Sequence, residues 1–290
     1  MFGYQKRYCF TGQLFLKSAL HIGGGEAALG ASDHPVVRRP DGEPFIPGSS
    51  FKGAFRSTVE KMAATIGLWT CALMEDPHCV GPQGAAQTAF NKRLSDSQVR
   101  KKLNLLHELN GKLCHTCRLF GSSHLASKFY ASDLYLVAGE HLVTQRRDGV
   151  AINRDSERAE DKLKFDYEVV PTTIRFDCNL WLENPTSVDL GLVCLGLSEF
   201  CAGFAGLGGK RSRGLGNCEL QGLKIYELDL EGLDEEKRGA RLQKYLLGKT
   251  LVEKMETVPD AEKFIQDQIT ALLATPNLGR PRREGENAHA

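Results

Sequence analysis

Three groups of residues have the types and spacing to do chemistry. The first is Asp33, which sits in the stretch "GASDHPVVRRPDGEPFIPGSSFKGAFR" with Arg38, Arg39, Lys52 and Arg56 on its C-terminal side. A carboxylate can bind a divalent cation or orient a hydroxyl, and neighbouring cations can hold phosphates. The second is "FAGLGGKRSRGLGNC", residues 204 to 218, where Gly206, Gly208, Gly209, Gly214 and Gly216 allow close backbone approach and Lys210, Arg211 and Arg213 add positive charge. That combination suits a phosphate backbone, the alternative being a glycine turn with a solvated basic tip. It matches neither GxxxxGK[ST] nor a GxGxxG following a first strand.

The third group is cysteine-based. "CHTC" places Cys114 and Cys117 at CxxC spacing, and Cys71 and Cys79 lie upstream, eight residues apart, with His78 beside Cys79. Four soft thiolates are a zinc set, and His78 or His115 could replace Cys71 in it. Unligated thiols are the other reading, and a redox CxxC lacks its thioredoxin-like βαβ setting here. Cys178, Cys194, Cys201 and Cys218 fall in apolar stretches and read as core.

Charge and composition limit the partners. With 41% hydrophobic residues and a net charge of +1, the 290-residue chain folds without being a general basic coat. Any polyanion site must therefore come from local clustering of Lys and Arg. The N-terminus shows no cleavable signal pattern and no apolar run spans a bilayer, which predicts a soluble, cytoplasmic protein.

Elements that would position these groups follow from periodicity. Residues 8–20 alternate as a strand running into "HIGGG", and a helix opens near Ser49 or Ser50 and carries "FKGAFRSTVEKMAATIGL". Residues 128–137 read as a strand, and 173–182 as the clearest one, with Ile174, Phe176, Cys178, Leu180 and Leu182 on one face. Helical spacing over 188–204 and a last strand in "CELQGLKIYEL" complete a β-α-β-β-α-β order, an α+β, ferredoxin-like (RRM-like) core. Two insertions interrupt it: a cysteine-bearing one at about 68–125, and a charged arm at about 139–171 that reads as a projecting hairpin or a solvated loop. Residues 228–275 read as amphipathic helices broken near Pro259, and 276–290 as a disordered tail.

"LHIGGG", "ASDHPVVRRPDGEPFIPGSSFKGAFR", "CHTCRLFGSS", "VAINRDSERAEDKLKFDYEVVP" and "GFAGLGGKRSRGLG", in that order, resemble the RAMP superfamily of CRISPR systems, and within it the Csm-type target-RNA-cleaving backbone subunit of type III effector complexes. The resemblance covers about residues 8–227, a RAMP/RRM-like domain spanning 1–227. It implies copies of the subunit lined up along a guide CRISPR RNA, a single-stranded target RNA paired in the groove they form, and a large polymerase-like subunit in the same complex. It implies metal-dependent endoribonuclease activity in antiviral defence, with Asp33 as the catalytic carboxylate and Mg²⁺ as its ion. His21, Lys52, Arg56, Arg38, Lys210, Arg211 and Arg213 would contact RNA. The arm would be a thumb that wedges between guide and target and flips a base pair, and the cysteine insertion a lid, with Zn²⁺ on Cys71, Cys79, Cys114 and Cys117 as a structural ion. His34 departs from the family, where an amide is commoner beside the aspartate, and Asp133 and Asp155 are the next carboxylates to consider. Two other readings stay open: a non-catalytic guide-binding scaffold, and a guide-processing nuclease that uses histidines rather than a metal.

Overall fold

In the computed structural model, residues 3–24, 32–71, 79–81, 84–102, 104–152, 154–155, 159–276 and 279 are described. His78, residues 25–31 and most of residues 276–290 lie outside them. The first strand, β1 (Lys6–Leu16), leads to helix α1 (Gly48–Thr65). The cysteine-bearing segment follows as four short helices: α2 (Ala85–Ser95), α3 (Ser97–Lys102), α4 (Leu105–Asn110) and α5 (His115–Phe120). Strand β2 (Phe129–Ala131) precedes a hairpin of β3 (Gln145–Ile152) and β4 (Ala159–Val169). Then come β5 (Arg175–Glu183), α6 (Ser187–Cys201), a 3-10 turn at Arg211–Arg213 and β6 (Cys218–Asp229). The chain closes with α7 (Glu235–Leu247), α8 (Leu251–Lys254), β7 (Glu256–Thr257) and α9 (Ala261–Ala274).

Five strands make one antiparallel sheet in the order β2-β5-β1-β6-β7, and β3 and β4 pair separately. β1 is central because its register satisfies both edges, Phe10 lying opposite Leu180 on one side and Ile225 on the other. The period-2 pattern of β5 works as read: Phe176, Cys178, Leu180 and Leu182 are buried on one face. Against that face α1 turns Phe51, Phe55, Val59 and Ala63, spaced by four, into the core. Phe55 stacks on Phe129 at 4.8 Å and on Phe200 of α6 at 5.6 Å. Apolar residues of α9 join the same core through Ile265 and Leu272. Part of the opposite face is closed by α7 and α8, whose Leu242, Tyr245 and Leu251 pack on Cys9, Tyr226 and Leu228. Among the described residues no helix is long and apolar enough to cross a membrane.

Two expected boundaries move for one reason. The helix begins at Gly48 rather than at a serine cap, and the strand expected over 128–137 is regular only to Ala131. Asp133 leaves the strand to accept the Gly48 N–H at 2.7 Å, so the first N–H of α1 is satisfied from across the chain instead of by a cap side chain. Leu134 then bridges Ile46, just before α1, and the chain rejoins the sheet where Leu136 bridges Phe176 of β5. Asp133 thus serves α1. Of the cysteines read as core, Cys178, Cys194 and Cys218 are buried and Cys201 is half-buried.

Candidate nucleic-acid interface and metal centre

An open cleft of about 740 Å³ runs between the first turns of α1 and the glycine turn before β6. Its α1 wall is Ser49, Ser50, Gly53, Ala54 and Ser57, all small, so a ligand can approach the helix backbone. His21–Gly23 and Gly206, Gly208, Gly209, Lys210 and Arg211 form the rest. Close packing dictates the glycines. Gly208 sits at φ +76°, and a Cβ there would stand 2.4 Å from the His21 carbonyl oxygen, which already accepts the Gly209 N–H at 3.0 Å. His21 is fixed from the other side: its Nδ1 lies 2.7 Å from the Glu168 carbonyl oxygen of β4. A carbonyl only accepts, so Nδ1 carries the proton and Nε2 is the nitrogen left for a ligand of the cleft. Lys210 lies over Tyr167 at 4.6 Å and Phe165 at 5.3 Å, so the basic turn packs on the root of the hairpin. Phe204, 80% exposed, lines a second open cavity that shares Gly206 and Arg211 with the cleft. An aromatic face beside cations is the usual platform for an unpaired base, and sequence periodicity concealed it by placing Phe204 on the apolar side of a helix that ends at Cys201.

Asp33 lies at the same hairpin root, exposed to solvent. Its Oδ2 accepts the Asp166 backbone N–H at 2.9 Å, and its own N–H donates to Asp166 Oδ1 at 2.9 Å. Among the described residues Oδ1 of Asp33 has no hydrogen-bond partner, so one oxygen is open to a cation or a hydroxyl. Asp166 is a site residue that the sequence reading missed. Its only signal was its place in "KFDYEVV", opposite nothing that linear spacing could identify. The Ser32 hydroxyl, the Asp33 N–H and Arg146, 3.6 Å away, hold the Asp166 carboxyl below the usual carboxylate range.

The cations near Asp33 in sequence do not gather around it. Arg38 spans Glu168 of β4 at 3.3 Å, Thr144 at 2.8 Å and the Gly42 carbonyl at 2.9 Å. Arg39 pairs with Asp41 and Glu43. Lys52 and Arg56 occupy a face of α1 turned toward the cysteine-bearing segment. Lys52 donates to Ser127 Oγ at 2.7 Å, and burial, then the Arg56 charge, hold its ammonium below the usual lysine range. Arg56 bonds Glu60 Oε1 at 2.8 Å, the Gly121 carbonyl at 3.2 Å and Cys117 Sγ at 3.4 Å. Arg213 is exposed on the 3-10 turn beside Arg211, outside the cleft lining, and Asp155 is exposed in the β3–β4 turn region.

Arg56 therefore ties α1 to the segment after it. The Arg56 and Glu60 side chains are only 14% and 6% exposed, so removing the guanidinium would strand a buried carboxylate. Arg56→Ala should lower unfolding free energy by about 3 kcal/mol, measured by denaturant titration. The double variant Arg56→Ala, Glu60→Gln should recover part of that loss. A loss below the error of the titration would show that the pair is not structural.

Cys71, Cys79, Cys114 and Cys117 converge, all buried, with their sulfurs within 4.8 Å of one another. Cys71 Sγ lies 3.5 Å from Cys117 Sγ and 3.6 Å from Cys114 Sγ. Four thiolates around a tetrahedral ion with bonds of about 2.3 Å stand about 3.8 Å apart, which this set fits. The backbone N–H groups of Gly81 and Cys114 point at Cys79 Sγ at 3.4 and 3.5 Å, a second shell suited to thiolate charge. A Cβ on Gly81 would come 2.4 Å from Cys117 Sγ. His115 is engaged instead with Arg118, its Nδ1 2.6 Å from the guanidinium. The four cysteines are a centre able to hold a metal ion.

Comparison with known proteins adds to this geometry. A family model described as the RAMP superfamily matches residues 14–219. The CRISPR system Cms endoribonuclease Csm3 of Methanothermobacter thermautotrophicus is 26% identical over 238 residues, covering 79% of this chain and 89% of that protein. Proteins of the same name from Streptococcus thermophilus and Enterococcus italicus match shorter stretches. They are 46% identical over 56 residues and 49% over 54, each covering 18% of this chain and 26% and 25% of those proteins.

Proposed function

This chain belongs to the RAMP superfamily, and from that premise we propose that it is a guide-RNA-binding backbone subunit of a type III CRISPR ribonucleoprotein that cleaves guide-complementary RNA. The observation that carries this reading is the convergence at one place of a glycine-walled basic cleft, a protruding hairpin and an open carboxylate. The cleft and Asp33 share a wall: β4 holds His21 through the Glu168 carbonyl and Asp33 through the Asp166 N–H. The strand order supports a ferredoxin-like core, since β2, β5, β1 and β6 follow the spatial order of a split βαβ pair.

In this reading the guide backbone lies along the cleft, with phosphates on Lys210, Arg211 and the exposed N–H groups at the start of α1. The β3–β4 hairpin acts as the thumb that parts guide from target, and further copies of this chain extend the groove. A large polymerase-like subunit completes the assembly. At the cut, the ribose 2′-oxygen attacks the adjacent phosphorus while the bond from phosphorus to the 5′-oxygen breaks. The 2′-hydroxyl gives up its proton and the leaving 5′-oxygen gains one. Asp33 orients the attacking hydroxyl and, through its open oxygen, would hold a divalent ion such as Mg²⁺, whose charge would offset that developing on the phosphate. Zinc would be held by the four cysteines as a structural ion. The segment carrying them is read as a lid over the outer face of α1.

The test is to sequence the RNA that co-purifies with the chain from its native cells. A population of repeat-tagged spacer RNAs is expected. Its amount should fall for Lys210→Ala, Arg211→Ala, with a salt dependence shallower by roughly two charges. A random mixture, or no RNA, would overturn the guide-binding role.

A further inference from the structure

The open carboxylate is itself held by a carboxylate. Asp33 and Asp166, 133 residues apart in sequence, exchange two hydrogen bonds of 2.9 Å, each backbone N–H donating to the other's side chain. This ring sits inside a longer pairing of the segment after Asp33 with β4. The Glu168 N–H donates to the His34 carbonyl at 3.0 Å, and the Val36 N–H to Glu168 Oε2 at 3.1 Å. His34 also bridges Tyr167 in parallel and meets Phe165 edge-on at 6.1 Å. Those contacts fix the backbone of the segment. Among the described residues only Asp166 hydrogen-bonds the carboxylate of Asp33.

We propose that Asp166 is a positioning residue for the cleavage reaction: its Oδ1 anchors the Asp33 backbone, its N–H fixes Asp33 Oδ2, and the pair aims Oδ1 of Asp33 at the scissile ribose. This rests on the function proposed above. Two adjacent carboxylates would repel each other, but here the facing oxygens are separated by N–H groups and Arg146 of β3 lies 3.6 Å from Asp166. The acceptor that matters is a single oxygen, so its role separates from its charge. An asparagine supplies a carbonyl oxygen at the same place, whereas a metal ligand or proton acceptor at 166 would need the carboxylate. Because Asp166 belongs to the hairpin, the aim of Asp33 is set by how the hairpin is seated.

Single-turnover cleavage of a labelled complementary RNA by the reconstituted guide-loaded complex tests this, with target affinity measured in parallel. Asp166→Ala should slow the cleavage step roughly 10- to 100-fold with target affinity and guide content unchanged. Asp166→Asn should stay within about fivefold of the parent, with the same Mg²⁺ concentration for half-maximal rate. Parent-like cleavage by Asp166→Ala would overturn the proposal. So would an Asp166→Asn variant as slow as Asp166→Ala, which would make the residue a ligand or a base. The variant Asp33→Ala separates the two levels of the argument: if it cuts normally, the assignment of Asp33 fails, irrespective of position 166.

Discussion

Asp33→Ala in the assembled complex should reduce cleavage of guide-paired RNA by at least about a thousandfold, some 4 kcal/mol of barrier, while leaving guide content and assembly intact. The expectation has two parts with separate physical origins. The size of the loss follows from what the side chain would do at the reacting atoms, since holding an ion against a developing phosphate charge is worth several kcal/mol and orienting the nucleophile adds to it. The intact assembly follows from where the residue sits. Asp33 is exposed and contributes nothing to the buried core, and the segment after it is held to β4 by the Glu168 N–H on the His34 carbonyl and by the Val36 N–H on the Glu168 carboxylate, bonds that alanine at 33 would not remove. Chelation with EDTA should abolish cleavage by the parent complex and restore it on addition of Mg²⁺. A variant that assembles and cuts at the parental rate would leave the chain as a guide-binding scaffold.

That separation of site from scaffold was only half visible in the sequence. Alternation in β5 and fourfold spacing in α1 could be read directly, because burial of Phe176, Cys178, Leu180 and Leu182, or of Phe51, Phe55 and Val59, is dictated by local geometry. Cys71, Cys79, Cys114 and Cys117 could be grouped by residue type despite their irregular spacing, since few other arrangements dispose of four thiols. What linear reading could not supply is the pairing of charges. Arg38, Arg39, Lys52 and Arg56 look like a phosphate clamp around Asp33 when written in a line. In the fold they answer to Glu168, to Asp41 and Glu43, to Ser127, and to Glu60. Arg56 was read as an RNA contact, whereas the fold commits it to a buried pair with Glu60 one helical turn on. Asp166 and Asp133 were beyond any local rule, because each meets its partner across a tertiary contact, 133 and 85 residues away. The cleft itself belongs to this class: His21, α1 and the glycine turn come from three separate parts of the chain.

The cysteine centre makes the second large prediction, and it concerns stability rather than rate. Among the described residues the small core around it consists of Trp69, Val80, Phe90, Leu109 and Leu113 with the four thiols, so close to half of those buried residues are cysteines. Thiols alone contribute little as hydrophobes, and between Leu68 at one end and Leu119 and Phe120 at the other, which belong to the main core, few apolar side chains remain to order the segment. A bound zinc ion would supply on the order of 10 kcal/mol to such a unit. Cys114→Ala should therefore lose the metal, one ion per chain by elemental analysis of the purified protein, and expose the segment to protease. The effect should be local. The main core of Phe10, Phe55, Phe176 and Phe200 is a separate cluster, which takes Leu68, Leu119 and Phe120 from the two ends of the segment and meets the centre again through Arg56 on Cys117, so those ends and the sheet should remain folded and melt cooperatively after the middle of the segment has opened. Cys194→Ala is the matched comparison: equally buried, but outside the centre, it should cost about 1–2 kcal/mol and keep its metal. Metal retained by Cys114→Ala, or absent from the parent, would reduce the four thiols to packing. Metal lost from Cys114→Ala together with collapse of the whole chain would instead show that the centre supports α1 and the sheet, through Leu119 and Phe120 of α5 as well as through Arg56 on Cys117.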